Sequence, residues 1–155
     1  MTECTWKVIL LLMNDTTIPA QKAILVTLRT PEVSVAQCQN YLNELHSLCK
    51  TLGIESVGTQ IVPVKKIHPR YLVGSGKARE LSEIATDLGA DCIVFDDTIS
   101  PSQQRNLEHL SELCVIDRQE VILEIFSDHA RTKEALLQVG LARMEYSLPR
   151  LTRAW

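Results

Sequence analysis

Short apolar runs alternate along this chain with segments of helical periodicity, and this alternation restricts the possible folds more than any other feature. The runs at 23–28, Cys92–Phe95 and 114–116 are rich in β-branched residues, which favours buried strands. The run at 54–64 alternates more weakly and contains Pro63, which argues against a central position in a sheet. Because strands and helices alternate, the sequence predicts an α/β fold with a mainly parallel sheet flanked by helices.

Each helix predicted between these strands has sequence signals at its ends. N-caps with a Gln or Glu three residues later occur at Ser34, Ser100 and Asp117, and Gly53 and Gly89 stand where helices end. The residues predicted to face the core are Val35, Cys38, Leu42, Leu45, Cys49 and Leu52, then Leu81, Ile84 and Leu88, then Leu107, Leu110 and Leu113, and finally Val121, Ile122, Ile125 and Phe126.

Composition favours one globular domain in a reducing compartment. The chain has 155 residues, of which 45% are hydrophobic and 23% charged, and its net charge of −3 means that any contact with nucleic acid must come from a local patch. The five cysteines have no C-x-x-C spacing, so neither a disulfide framework nor a zinc site is expected. The apolar run at 8–13 is too short to span a membrane; it is expected to be a strand or an attached extension, and the location cytoplasmic.

The last predicted helix, from a Thr132 cap to about Leu148 before Pro149, is apolar on two sides. One stripe consists of Ala135, Val139, Ala142 and Tyr146, and the opposite stripe of Leu137, Leu141, Met144 and Leu148. A helix on a domain surface needs only one apolar stripe, so this helix is expected to need a partner that the 155 residues do not supply. The partner could be a hairpin helix, another copy of the chain or a separate protein.

The sequence Gly74-Ser75-Gly76-Lys77 has some features of a phosphate-binding loop. A Walker loop would also need glycine at position 71 and serine or threonine at position 78, where this chain has tyrosine and alanine. The N–H groups at the start of the following helix could still hold an anion, but the residues favour a structural turn.

Two carboxylates, Asp96 and Asp97, follow a buried strand at the edge where open α/β sheets bind ligands. They could bind Mg²⁺ or take part in acid–base chemistry, although a capping and a solvated role are favoured. The four histidines share no metal-ligand spacing and no G-x-S-x-G sequence is present, so no catalytic residue and no metal site are predicted.

Arginines and aromatic residues are interspersed at the C-terminal end of the chain. Arg143, Arg150 and Arg153 stand near Tyr146 and Trp155, and such a combination can grip phosphates and stack on unpaired bases. The alternative is a frayed polar end, and the residues alone leave both interpretations open.

Three runs between positions 71 and 155 resemble the N-terminal domain of HflX-type GTP-binding proteins: YLVGSGKAREL, ADCIVFDDTISPSQQRNLE and VIDRQEVILEIFSDHARTKEALLQVGLARMEYSLPRLTRAW. The specific motifs are the G-x-G-K turn, D-D followed by S-P-x-Q-x-R-N-L-E, I-D-R, and the R-x-x-x-E-x-x-x-Q-V-x-L-A helix that ends in Y-x-L-P-R-L. Residues 23–64 match more loosely and the first twenty residues match nothing specific. The resemblance therefore covers most of the chain.

The resemblance implies a module that binds the large (50S) ribosomal subunit through 23S rRNA and acts in splitting or rescuing stalled ribosomes under stress. It implies an extension at 1–22, an α/β domain at 23–131, and at 132–155 a protruding C-terminal helix, the first arm of a helical hairpin whose loop reaches toward the peptidyl-transferase centre. Arg143, Arg150, Arg153 and Trp155 would contact rRNA.

The family's GTPase domain would follow this module and would use GTP and Mg²⁺. The chain has no N-K-x-D, no D-x-x-G and no Walker loop, so by itself it is not expected to hydrolyse GTP or to need a cofactor. Some relatives bind ATP through the N-terminal half, which keeps the loop from Gly74 to Lys77 as an alternative nucleotide site. A protein-interaction domain that pairs through its last helix, including a homo-oligomer, is the other alternative.

Overall fold

The structure is a computed structural model that describes residues 21–151, and strands and helices alternate through most of it. Its elements are β1 (Lys22–Arg29), α1 (Val35–Thr51), β2 (Glu55–Pro63), α2 (Ser75–Asp87), β3 (Cys92–Phe95), α3 (Pro101–Ser111), β4 (Cys114–Asp117), α4 (Arg118–His129) and α5 (Lys133–Leu151). The apolar run at 8–13, for which a strand or an extension was predicted, lies outside the described residues.

The four strands form one parallel sheet in the order β2-β1-β3-β4, so the predicted parallel α/β fold is confirmed. Strand β2 lies at the edge of the described sheet, where Pro63, which has no N–H to donate, is tolerated. Since all strands run the same way, their carboxyl ends meet at one edge, at Arg29, Phe95 and Asp117. The chain leaves β1 toward β2 on one side and returns to β3 on the other, which creates a switch point at this edge.

Strands β1, β3 and β4 are buried on both faces, as their apolar runs predicted, whereas the edge strand β2 is mostly half-buried or exposed. Ile24, Val26 and Phe95 pack in one core with residues of α2 and α3, whereas Leu25 and Val94 pack in a second core with residues of α1 and α4. The members contributed by the helices are Ala78, Leu81 and Ala85 from α2, Leu107 from α3, Leu42, Leu45 and Cys49 from α1, and Val121 from α4.

Three residues predicted to face the core are instead exposed. Val35 is the first residue of α1 and lies at its solvent-facing end, and Leu88, which follows α2, packs over Gly58 of β2 at the edge of the sheet. Phe126 is 57% exposed because α4 has only one buried residue, Val121, and its C-terminal half faces α5 across an open apolar groove. Periodicity gave the correct face of α1 to α3 but gave α4 too wide a buried stripe.

The predicted helix signals are confirmed with one exception. Both capping boxes form, at Ser34 and Ser100, and Gly53 and Gly89 have positive φ at the helix ends. The predicted tight turn at positions 74–76 is wrong, because Gly74 is the N-cap of α2 with φ −60° and the helix begins at position 75.

Helix α5 begins as predicted, with the Thr132 hydroxyl accepting a hydrogen bond from the backbone N–H of Ala135 at 3.1 Å. It ends at Leu151 instead of Leu148, so Pro149 lies inside its last turn. A proline has no backbone N–H, and in the last turn this costs the helix a single hydrogen bond at its end. The Arg150 guanidinium also donates to the Tyr146 carbonyl at 2.9 Å and so adds a donor to this turn.

The two apolar stripes of α5 have different surroundings. Ala135, Val139, Ala142 and Tyr146 are partly buried on the side that faces α4. On the opposite side Leu137, Leu141, Met144 and Leu148 are each more than half exposed. The second stripe is therefore uncovered among residues 21–151. None of the helices in this part of the chain is long and apolar enough to cross a membrane.

Candidate functional site

The carboxyl edge of the sheet and the C-terminal half of α5 meet at Asp117. This residue ends β4 and is the N-cap of α4, and its side chain is 1% exposed. One carboxylate oxygen accepts from the Glu120 N–H and from the Tyr146 hydroxyl, each at 3.0 Å, and the other accepts from the Ile99 N–H at 3.2 Å. The carboxylate thus joins α4, α5 and the loop after β3.

Arg150 reaches from α5 into the same place, and its side chain is only 14% exposed. Its Nε donates to Gln104 Oε1 at 3.0 Å, and one terminal nitrogen donates to the Ile99 carbonyl at 2.9 Å and lies 3.7 Å from Asp117. The guanidinium carbon also lies 3.5 Å from the centre of the Tyr146 ring. A guanidinium with this many fixed partners holds the end of α5 on the domain.

Gln104 and Tyr146 complete this group of contacts. The buried Gln104 amide donates to the Val115 carbonyl at 2.6 Å while its oxygen accepts from Arg150, which links α3, β4 and α5. The Tyr146 hydroxyl also lies 3.2 Å from Glu120, so its single proton is shared between the Asp117 and Glu120 carboxylates. Burial and the nearby Glu120 and Asp117 carboxylates raise the pKa of Tyr146 far above its ordinary value, so the phenol remains a hydrogen-bond donor.

The two carboxylates considered as candidate ligands, Asp96 and Asp97, lie at this edge and have partners inside the protein. Asp96 accepts from Arg118 at 3.2 Å, and Arg118 also pairs with Glu44 of α1. Asp97 accepts from the Leu28 N–H at 2.9 Å. Burial raises the pKa of both aspartates, and these hydrogen bonds oppose the shift.

These contacts favour the structural interpretation of the aspartate pair. Within residues 21–151 no group of three His, Cys, Asp or Glu side chains is arranged to hold a metal ion. Asp96 fixes α4 and α1 through Arg118, and Asp97 closes the end of β1.

The loop from Gly74 to Lys77 lies at the N-terminus of α2. The Lys77 ammonium lies 2.6 Å from Glu80 on the same helix, and Ala78 is buried in the core and has no hydroxyl. A site for GTP with Mg²⁺ needs a lysine that reaches the phosphates and a hydroxyl on the metal. The residues of this loop do not fit that requirement.

The other predicted RNA-binding residues are divided between the described and the undescribed parts of the chain. Arg143 donates to the Ser127 hydroxyl at 2.9 Å and pairs with Glu124 at 2.8 Å, so it fastens α5 to α4. Arg153 and Trp155 lie outside the described residues. Arg143 and Arg150 therefore each have partners within the fold.

Sequence reasoning missed the role of Asp117, Gln104 and Arg118 at this edge. Asp117 was predicted as a helix cap, Arg118 appeared only within the I-D-R motif, and Gln104 was not singled out. The available signal was Gln103-Gln104 at inward positions of an otherwise amphipathic helix, because buried amides need partners. The partners themselves come from residues 11 to 46 positions away, which spacing does not reveal.

Comparison with known proteins decides the family. Residues 39–127 match the family described as GTP-binding GTPase N-terminal, and residues 129–155 match the one described as GTP-binding GTPase Middle Region. The chain belongs to the HflX-type GTPase family. It corresponds to the N-terminal part of these proteins, as the sequence motifs predicted.

Individual relatives agree with this assignment. The GTPase HflX of Akkermansia muciniphila is 48% identical over 87% of this chain, and that of Escherichia coli (strain K12) is 45% identical over 74% of it. The aligned regions cover 31% and 27% of those two proteins, so the chain spans about a third of the curated relatives that it matches.

Solved structures with the same fold include a GTP-binding protein from the hyperthermophilic archaeon Sulfolobus solfataricus in complex with GDP. It is 20% identical, with a TM-score of 0.63 over 85% of this chain and 38% of that one. The variant G235S of SsGBP has a TM-score of 0.64 at 22% identity, over 85% of this chain and 40% of that one. At these identities the similarity shows the fold alone.

Proposed function

We propose that this chain is the N-terminal, ribosome-binding module of an HflX-type GTPase, which associates with the large (50S) ribosomal subunit through 23S rRNA and acts in ribosome splitting or rescue under stress. The place of action is then the cytoplasm. The family assignment supports a module that belongs to a GTPase. The observation that most supports ribosome binding is the geometry of α5. This helix packs along α4 and is fastened to the α/β domain at its C-terminal end by Arg150, and the chain then leads directly to Arg153 and Trp155.

In this proposal the arginines of the C-terminal segment have two different tasks. Arg143 and Arg150 position the helix through the contacts described above. Arg153 and Trp155 contact rRNA, by charge and by stacking on an unpaired base. The domain division that follows is an extension at 1–22, an α/β domain at 23–131 and a first hairpin arm with the start of its loop at 132–155.

The exposed leucine stripe of α5 supports the presence of a second hairpin arm. Burying such a stripe contributes several kcal/mol at roughly 25 cal/mol per Å² of apolar surface. A stripe covered in this way would stiffen the arm. GTP and Mg²⁺ are proposed to bind in a GTPase domain of the whole protein. The α/β domain would be the part of the protein that docks on the 50S subunit.

Cosedimentation tests the proposal with the full-length protein that carries this module. We expect it to pellet with isolated 50S subunits, and the change Arg153→Ala/Trp155→Ala to weaken that association. Lys133→Ala, an exposed change at the other end of α5, is the matched control. No cosedimentation of the unmodified protein, or equal binding by the double variant and the control, would contradict the proposal.

A second candidate function is association of two copies through α5, which the exposed stripe of Leu137, Leu141, Met144 and Leu148 favours. Light scattering across a concentration series distinguishes this from a hairpin. A dimer mass that Leu141→Glu returns to the monomer mass supports pairing between copies. A monomer mass at every concentration contradicts it.

A further inference from the structure

Positive charge is concentrated in one segment of this acidic chain. Residues 56–79 contain no aspartate or glutamate, yet they contain five of the sixteen lysines and arginines: Lys65, Lys66, Arg70, Lys77 and Arg79. Most of them belong to the loop between β2 and α2, residues 64–74, which we term the basic loop. Within residues 21–151 only Lys77 of the five has a carboxylate partner, so the other four charges face solvent without an ion pair.

The basic loop has a defined shape. Leu72 and Val73 are buried and anchor it in the core, and His68 and Leu72 exchange two backbone hydrogen bonds of 2.9 and 3.0 Å. Two amides of α3 hold its backbone: Gln103 donates to the His68 carbonyl at 3.0 Å and Asn106 to the Arg70 carbonyl at 2.9 Å. Because the backbone is already fixed, binding a ligand here would cost little ordering entropy.

Aromatic rings lie among the cations. The rings of His68 and Tyr71 are nearly parallel, with centroids 6.4 Å apart, and the Arg70 guanidinium lies 5.1 Å from the Tyr71 ring. Arginine and planar rings beside lysines suit a ligand with repeated phosphates and flat bases. An acidic protein surface would use the charges and have no particular use for the rings.

The basic loop and the C-terminal end of α5 are held by two consecutive residues of α3. Gln103 binds the loop at His68, and Gln104 binds Arg150 at 3.0 Å. Both surfaces therefore lie at the carboxyl edge of the sheet in a fixed relation to α3. A nucleic acid that contacts the C-terminal end of α5 would therefore lie close to the basic loop.

We propose that the basic loop is a second nucleic-acid contact surface, at which Lys65, Lys66 and Arg70 bind the sugar-phosphate backbone of structured RNA. The choice of RNA as the polyanion rests on the proposed function. The surface itself rests on the charge distribution and the framed loop, and it uses none of the residues of the C-terminal segment.

The test is a titration of the 155-residue chain into a fluorescein-labelled RNA hairpin, followed by anisotropy at several KCl concentrations. We expect Lys65→Ala/Lys66→Ala/Arg70→Ala to weaken binding at low salt about ten-fold or more. The slope of log Kd against log [KCl] should fall by about two to three, because each phosphate contact contributes nearly one unit. The matched control is Lys50→Ala/Arg131→Ala/Lys133→Ala, which removes the same charge from exposed positions elsewhere.

Several results would overturn the proposal: no binding by the unmodified chain, equal losses in the two triple variants, or a loss on phosphatidylserine vesicles with RNA binding unchanged. Lys65→Glu/Lys66→Glu, which leaves the ring contacts of Arg70 intact, should weaken RNA binding further than the alanine changes at the same two positions. A thermal unfolding midpoint, followed by circular dichroism, that equals the midpoint of the parent shows that each variant is folded.

The outcome is independent of the cosedimentation experiment. If the basic-loop variant loses RNA binding while the full-length protein fails to pellet with 50S subunits, the loop proposal stands and the proposed function fails. If cosedimentation depends on Arg153 and Trp155 while the basic-loop variant binds RNA like its control, the reverse holds.

Discussion

Replacing Arg150 by alanine should loosen α5 from the α/β domain. The change removes the donors to Gln104 Oε1, the Ile99 carbonyl and the Tyr146 carbonyl, as well as the cation beside Asp117 and over the Tyr146 ring. The side-chain oxygen of Gln104 and the carbonyl oxygen of Ile99, both partly buried, then lose the donor that Arg150 supplies. The Asp117 carboxylate remains buried but loses its nearest positive charge.

The expected cost is about 2–4 kcal/mol. Removing one partner of a fully buried ion pair costs about 3–5 kcal/mol, and a hydrogen bond to a charged group contributes about 1.5–3 kcal/mol. The Arg150–Asp117 separation of 3.7 Å and the 14% exposure of the arginine place this pair below the fully buried limit. The apolar contacts of α5 with α4 remain, so part of the docking energy is retained.

Hydrogen exchange and urea unfolding measure the two consequences. The amides of α5 should exchange faster in Arg150→Ala, whereas those of β1 and β3 should follow only the change in global stability. Arg150→Lys keeps the charge but lacks the planar fork, and it should give an intermediate loss. Arg131→Ala, an exposed arginine between α4 and α5, is the control. A loss below about 0.5 kcal/mol in Arg150→Ala, the range of surface substitutions, would refute the positioning role.

Three further changes test other parts of the fold. A Cβ at Gly58 would lie 2.7 Å from Leu88 Cδ1, so Gly58→Ala should cost about 1 kcal/mol in urea unfolding, and the added change Leu88→Ala should recover part of it. Burial raises the pKa of the Cys49 thiol to about 12, so iodoacetamide at pH 8 should alkylate Cys49, as mapped by mass spectrometry, only after unfolding. Burial raises the pKa of Asp97 above the ordinary 3.8, so the contribution of its protonated form to folding stability is complete below 3.8 and is lost as pH rises through the folded-state pKa. Asp97→Asn does not titrate, so its free energy of unfolding should increase relative to that of the parent as pH rises. A difference in unfolding free energy between variant and parent that is the same at acid and neutral pH would contradict this.

Local signals predicted the elements well because their causes are local. The serine and glutamine of each capping box lie three residues apart, and the apolar runs that became β1, β3 and β4 are buried whatever their neighbours. Pro63 also indicated an edge position correctly, since it lacks an N–H. The loop before α2 was predicted less well, because a glycine-rich sequence fits both a turn and a helix N-terminus.

The candidate site was predicted only in part. The sequence predicted RNA contacts for Arg143 and Arg150, and the structure adds hydrogen bonds that both residues make within the fold. An arginine near a chain end is exposed unless distant residues supply acceptors for it. Those acceptors come from α3, α4 and the loop after β3, and no spacing within the C-terminal segment could reveal them.

The last helix shows most clearly what the sequence determines and what depends on the tertiary structure. The sequence by itself determined that α5 has two apolar stripes, because side-chain direction along a helix follows from position alone. Only the tertiary structure decided which stripe is covered: Ala135, Val139 and Ala142 face α4, and the leucines face outward. The physical reason is the set of partners that α5 meets on the domain: Arg150 and Tyr146 lie against Asp117 at the edge of the sheet and Arg143 pairs with Glu124, and together these contacts hold the helix in this rotation.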